Sequence, residues 1–163
     1  MIKINKGNYV ADADILLLVG YDAPYAAKTI RKRKKEGGVL DITHNKASKS
    51  AIFLKSGGIV VLSVALSTMV SRINGGKDMN LIRITSKCYV PDTGILQIMN
   101  YAGEPSVRKK VQQMKPMGLV RDLTQRQKTK SAIFLSDGTV LLSPSTPETL
   151  VQNMGASSTE RTE

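Results

Sequence analysis

The chain repeats itself, and this constrains its fold more than any other feature. Asp41-Ile42-Thr43-His44-Asn45-Lys46-Ala47-Ser48-Lys49-Ser50-Ala51-Ile52-Phe53-Leu54 returns as Asp122-Leu123-Thr124-Gln125-Arg126-Gln127-Lys128-Thr129-Lys130-Ser131-Ala132-Ile133-Phe134-Leu135. Each copy reads as a strand, a polar basic loop and a second strand that ends in a glycine turn. The likeness extends outward. Leu81-Ile82-Arg83-Ile84 answers Ile2-Lys3-Ile4, Tyr89-Val90 answers Tyr9-Val10, Asp92 answers Asp12, and Ile95 to Met99 answers Ile15 to Val19. A period this long marks a duplicated supersecondary unit. The 163 residues therefore divide into a first repeat, 1–76, a second, 77–154, and a Ser/Thr/Glu-rich tail, 155–163, whose composition predicts disorder. A unit of this size buries only about 60% of the surface its unfolded chain exposes. Packing between repeats, or between chains in a homo-oligomer, is expected.

Within the first repeat, Ile15-Leu16-Leu17-Leu18-Val19 is an unbroken apolar run bounded by Asp14 and Gly20. Such a run predicts a strand buried on both faces. Asp22-Ala23-Pro24 opens a helix, with proline in the first turn where its missing N–H costs nothing, and Gly37-Gly38 closes it. Strands follow at Val39 to Thr43, Ser50 to Leu54 and Ile59 to Ser63, then a short helix over 66–74. The second repeat predicts a helix from Pro105 to Lys115 and a last short helix from Pro147. The fold class is α+β: two tandem copies of a small domain, each a mostly antiparallel sheet with one longer helix and a short C-terminal helix.

The formal charge of +11 points to a polyanionic partner. Both repeats share it: residues 1–76 hold 12 Lys and Arg against 5 Asp and Glu, and residues 79–163 hold 11 against 7. One cysteine, Cys88, and one histidine, His44, give no disulfide, no histidine-based metal site and no Cys-His pair. A reducing, cytoplasmic setting suits a lone thiol. No apolar run approaches the length of a membrane span. The acidic residues that align between repeats, Asp12 with Asp92 and Asp41 with Asp122, sit at strand ends, where such side chains hydrogen-bond local backbone. Nothing marks an enzyme, a cofactor or a small-molecule substrate.

The candidate interface lies in the two loops. His44, Asn45, Lys46, Ser48 and Lys49, and then Arg126, Gln127, Lys128, Thr129 and Lys130, mix cations with hydroxyl and amide donors. That mixture suits phosphate oxygens, with Arg, Asn or Gln available for base edges. The alternative is a solvated hairpin loop kept from edge pairing by its lysines. Lys28, Arg31, Lys32 and Lys35 on the first long helix, and Arg108 and Lys109 on the second, extend the basic surface. With no Trp, and both Phe inside apolar strands, there is no cluster of stacking residues for single strands, so duplex DNA is the favoured partner.

Gly7-Asn8-Tyr9-Val10, the apolar strand, Ala23-Pro24, the helix ending at Gly37, Val39-Leu40-Asp41-Ile42-Thr43, the basic loop and Ile59 to Ser63 together resemble the RemA family of small bacterial DNA-binding regulators. In the second repeat Thr146-Pro147-Glu148-Thr149 resembles that family's closing motif. The resemblance covers nearly all of both repeats. It implies a regulator of matrix and stress-response genes that assembles into a ring and presents basic residues to duplex DNA. The family's paired loop arginines fall here on Lys46 and Ala47, and on Gln127 and Lys128; a further DNA-contacting arginine falls on Asp14 and Gly94. Lysine lacks the bidentate fork of arginine, and an aspartate repels phosphate. The rival reading that these departures favour is a ring-forming adaptor, such as a phage-borne relative, that binds a protein instead of DNA.

Overall fold

In a computed structural model, which describes residues 1–75 and 79–162, the strands are β1 (Ile2–Asn5), β2 (Asn8–Val10), β3 (Ile15–Gly20), β4 (Val39–Asp41), β5 (Ser50–Leu54), β6 (Ile59–Leu62), β7 (Leu81–Thr85), β8 (Cys88–Pro91), β9 (Ile95–Asn100), β10 (Val120–Asp122), β11 (Ser131–Leu135) and β12 (Val140–Ser143). The helices are α1 (Pro24–Lys35), α2 (Leu66–Asn74), α3 (Pro105–Met114) and α4 (Pro147–Thr162). The order in one repeat recurs in the other, so the α+β class and the duplication hold. The boundary expected between the repeats, at residues 76 and 77, lies outside the described residues. Helix α4 carries on through residues 155–162, which composition alone reads as a disordered tail.

The basic loop does not close a hairpin. Strand β6 lies between β4 and β5, parallel to β4 with Val39 opposite Ile59, and antiparallel to β5 with Ile52 opposite Val60. The second repeat does the same, Val120 opposite Val140 and Ile133 opposite Leu141. The loop is thus part of a crossover, long enough to make a parallel pair possible. Strand β4 also stops at Asp41, two residues earlier than the apolar pattern predicts, because the chain turns there.

The two sheets are not divided where the repeats are. The larger, in the order β4-β6-β5-β3-β8-β7, takes its last two strands from the second repeat; β10-β12-β11-β9 forms the other, and β1-β2 stands as a separate pair. Strand β8 adds antiparallel to β3, with Leu18 opposite Tyr89 and Val19 opposite Cys88. This places β3 inside the sheet, and all six of its residues are buried. A register shift between Ile15 and Leu17 interrupts the alternation of its side chains, which divide between two cores. Leu17 and Val19 join α1 through Ala26 and Ile30, while Ile15 and Leu18 join α2 through Met69 and Ile73 and hairpin β1-β2 through Ile4 and Val10. The first cluster runs on through Ile82, Ile84, Cys88 and Val90 of β7-β8 to Ile133, Leu135, Leu141 and Leu150 of the second repeat. One core therefore serves both repeats. Burial raises the Cys88 thiol to about 12, despite the nearby cation of Arg121, and leaves it protonated at neutral pH.

Candidate nucleic-acid interface

Asp41 builds the first loop. Its Oδ1 accepts from the Thr43 amide at 2.9 Å and the Thr43 hydroxyl at 2.7 Å, which buries Thr43 and turns the chain out of the sheet. Asp122 and Thr124 repeat this at 2.9 and 2.6 Å. The local role expected of the aligned acids is met in both loops. These bonds, and the Lys34 ammonium 3.7 Å from Asp41 Oδ2, hold the Asp41 carboxyl below its ordinary value of 3.8. A carboxyl lowered by folding contributes stability that is complete above the unfolded value and lost as pH falls through the folded one. The thermal midpoint of the native protein should therefore fall between pH 5 and 2 more than that of Asp41→Asn, whose amide oxygen still accepts from Thr43; equal falls in circular dichroism melts would remove this role.

Beyond the aspartate each loop adopts a conformation that side chains resist. His44 and Asn45 have φ of 54° and 66°, and Gln125 and Arg126 have φ of 51° and 72°. The Lys46 amide donates to Thr43 O at 3.1 Å and the Gln127 amide to Thr124 O at 3.0 Å. Two successive left-handed residues closed by such a bond make a type I′ turn, which normally calls for glycine. Each non-glycine residue there costs on the order of 1 kcal/mol. The sequence predicted neither turn, since no glycine marks it, yet the conformation is kept at equivalent positions in both repeats.

The far end of each loop is pinned. The Lys49 amide donates to Leu62 O at 2.8 Å and Lys130 to Ser143 O at 2.9 Å. Buried Ser50 and Ser131 give their hydroxyls to Val64 O at 2.7 Å and Ser145 O at 2.6 Å. Between these anchors His44, Asn45, Lys46 and Lys49 are exposed and Ser48 half-buried; Arg126, Gln127, Lys128 and Lys130 are exposed and Thr129 half-buried. The loops are rigidly held at both ends with their cations in solvent.

The helical candidates divide. Lys28, Arg31, Lys32, Lys35 and Lys109 are exposed. Arg108 is half-buried and donates from Nη1 to Tyr101 O at 3.0 Å and Ala102 O at 2.7 Å, so its guanidinium braces the turn before α3. It still lines a depression of about 330 Å³ with Lys128 and Thr129. Lys28 and Lys32 meet Gln125 and Arg126 in a cleft of about 830 Å³ between the repeats. The helix of one repeat and the loop of the other thus face a common space. Lys87 and Arg121 line it as well, and sequence reasoning passed over both because each sits beside a strand signal and not in a charge run. Ser48 and Lys49 share another depression, about 560 Å³, with Ser86 and Lys87 of the second repeat. Lys87 Nζ lies 2.8 Å from Asp22 Oδ2 and, by this hydrogen bond, holds that carboxyl below its ordinary value. Asp14 accepts from the amide and hydroxyl of Ser56 at 3.2 and 3.3 Å and steadies the β5-β6 turn.

Among the described residues no group of His, Cys, Asp and Glu is placed to hold a metal ion, and no helix is long and apolar enough to cross a membrane. Three relatives show how widely the repeat occurs, each named "Putative regulatory protein". One from Geobacillus thermodenitrificans is 28% identical over 79 residues, covering 48% of this chain and 91% of the relative. One from Coprothermobacter proteolyticus is 29% identical over 72 residues, 44% of this chain and 69% of the relative, and one from Dictyoglomus turgidum 26% over 76 residues, 47% and 89%. Each match spans about one repeat. The RemA-like family, described as extracellular matrix regulatory protein A-like, matches residues 1–73 and again residues 81–154. The chain belongs to the RemA-like family, as two tandem copies of its domain.

Proposed function

We propose that this chain is a non-enzymatic, cytoplasmic regulator that binds duplex DNA as a homo-oligomer, using the two basic loops and the exposed lysines of α1. The observation that carries the reading is the doubled left-handed turn. Backbone strain persists where the surrounding structure enforces it, and it gathers at binding sites. Here Asp41 and Asp122 enforce it, and what it projects is His44, Asn45 and Lys46 in one loop and Arg126, Gln127 and Lys128 in the other. A rigid loop of cations and amides loses little freedom on meeting a phosphate backbone. Membership of the RemA-like family and the regulatory names of the relatives support the regulatory role. The net charge of +11 supports a polyanion as partner.

Ala47, Gln127 and Asp14 stand where the family resemblance places arginines, and this favours the adaptor reading. Fluorescence anisotropy with a random-sequence duplex separates the two. DNA binding predicts a log–log salt dependence with a slope of about −0.9 for each phosphate neutralised. No binding at low salt, together with recovery of one protein partner, would replace DNA by the adaptor role.

A further inference from the structure

The joint between the repeats is used once within the chain, and its two halves recur unused at the ends. Strand β3 receives β8, but among the described residues its counterpart β9 has β11 as its only neighbour in the sheet; β8 sits on β3, but its counterpart β2 pairs, among the described residues, only with β1. The free edges are apolar. Leu96 and Met99 of β9 are 66% and 37% exposed and Tyr9 of β2 is 55% exposed, whereas Leu16 and Val19, the counterparts of Leu96 and Met99, are 2% and 1% exposed. The sheet registers fix the correspondence: Leu18 and Val19 lie opposite Ile52 and Ala51, as Ile98 and Met99 lie opposite Ile133 and Ala132. Unpaired strand edges with apolar side chains are templates for another strand.

We infer that β2 of one copy adds antiparallel to β9 of a second copy, in the register β8 keeps on β3, so that chains join head to tail. Tyr9 then lies opposite Ile98 and Asn8 opposite Met99, as Tyr89 lies opposite Leu18 and Cys88 opposite Val19. The contact is heterologous: the hairpin of each copy is donor and its β9 acceptor, and the two never meet in one molecule. The joint also completes a site. Ser86 and Lys87, in the turn before β8, stand beside Ser48 and Lys49 of the first loop. Lys6 and Gly7, in the turn before β2, would stand in the same way beside Thr129 and Lys130 of the neighbouring copy. The ion pair of Lys87 with Asp22 has no counterpart there, since Gly7 and Ala102 occupy those positions. The joint between copies should therefore open on dilution before the one within the chain.

This deepens the oligomeric part of the proposed function and is tested without DNA. Two exposed single substitutions, Asn8→Cys and Met99→Cys, are made in the full chain, mixed and oxidised. Opposed strand residues lie within disulfide reach. A disulfide-linked dimer is expected from this mixture, and none from Asn8→Cys mixed with Leu96→Cys, which is out of register; Cys88 is buried in every copy and stays silent. A cross-link from Asn8→Cys alone would overturn the inference in favour of a symmetric contact. No cross-link, with light scattering of the native protein showing an oligomer, would place the contact elsewhere and leave the oligomeric reading standing. No cross-link with only a 17.7 kDa monomer would remove both.

Discussion

Replacing Lys46, Lys49, Lys128 and Lys130 together with glutamate is expected to lower affinity for duplex DNA by on the order of 100-fold or more at low salt, and to flatten the log–log salt slope by about 3 to 4. All four side chains are exposed. The bonds these positions make to the fold come from the backbone, the amides of Lys49 and Lys130 reaching Leu62 O and Ser143 O and that of Lys46 reaching Thr43 O. Glutamate keeps those bonds, so circular dichroism and the melting midpoint should change little. The helical lysines give the contrast, because Lys28 and Lys32 line the cleft with Arg126, which the quadruple variant keeps. If the quadruple variant binds as the native chain does, the loops are not the interface and the helices become the remaining candidates.

The second large effect concerns folding. Ile82→Ala, in β7, should cost about 2–5 kcal/mol, the usual penalty for emptying a buried branched side chain. Ile82 is 1% exposed and belongs to the cluster that runs from Leu17 and Phe53 in the first repeat to Ile133 and Leu141 in the second. The loss should appear as a shift of a single cooperative transition in urea, followed by far-ultraviolet circular dichroism. A biphasic curve in which only one step moves would mean that the repeats fold separately and that the shared core couples them little.

Much of this fold could be read from residues. The run Ile15 to Val19 is buried on both faces as its unbroken apolar character predicts, and α1 begins at Pro24 and ends before Gly37, as proline and glycine chemistry requires. The class and the duplication follow from the repeated words. The pairing of strands is another matter. Every strand offers the same backbone donors and acceptors, so Val39-Leu40-Asp41 carries no mark that says β6, not β5, lies beside it in parallel. Nor do Cys88 to Pro91 announce that they will extend the sheet of the other repeat.

The candidate site was legible in its residue types and not in its shape. Positive charge and amides drew attention to both loops, but His44, Asn45, Gln125 and Arg126 carry no glycine to advertise two left-handed turns. Those turns depend on an aspartate and a threonine whose bonds look, in sequence, like ordinary strand ends. The cleft joining Lys28 and Lys32 to Arg126 depends on how two repeats pack, which no local pattern encodes. Arg108 shows the converse: its charge suggested an interface, while its guanidinium serves two backbone carbonyls.

The transfer of β7-β8 to the first sheet means that the module seen by physics is out of phase with the module seen by heredity. Cutting the chain at residues 76–78 would follow the repeat and yet strip β3 of a neighbour and leave β8 paired with β7 alone. A fragment beginning after β2 and ending after β8, residues 11–91, would instead carry a whole six-stranded sheet. Anyone dividing this protein for separate study of its halves should move the cut by one hairpin.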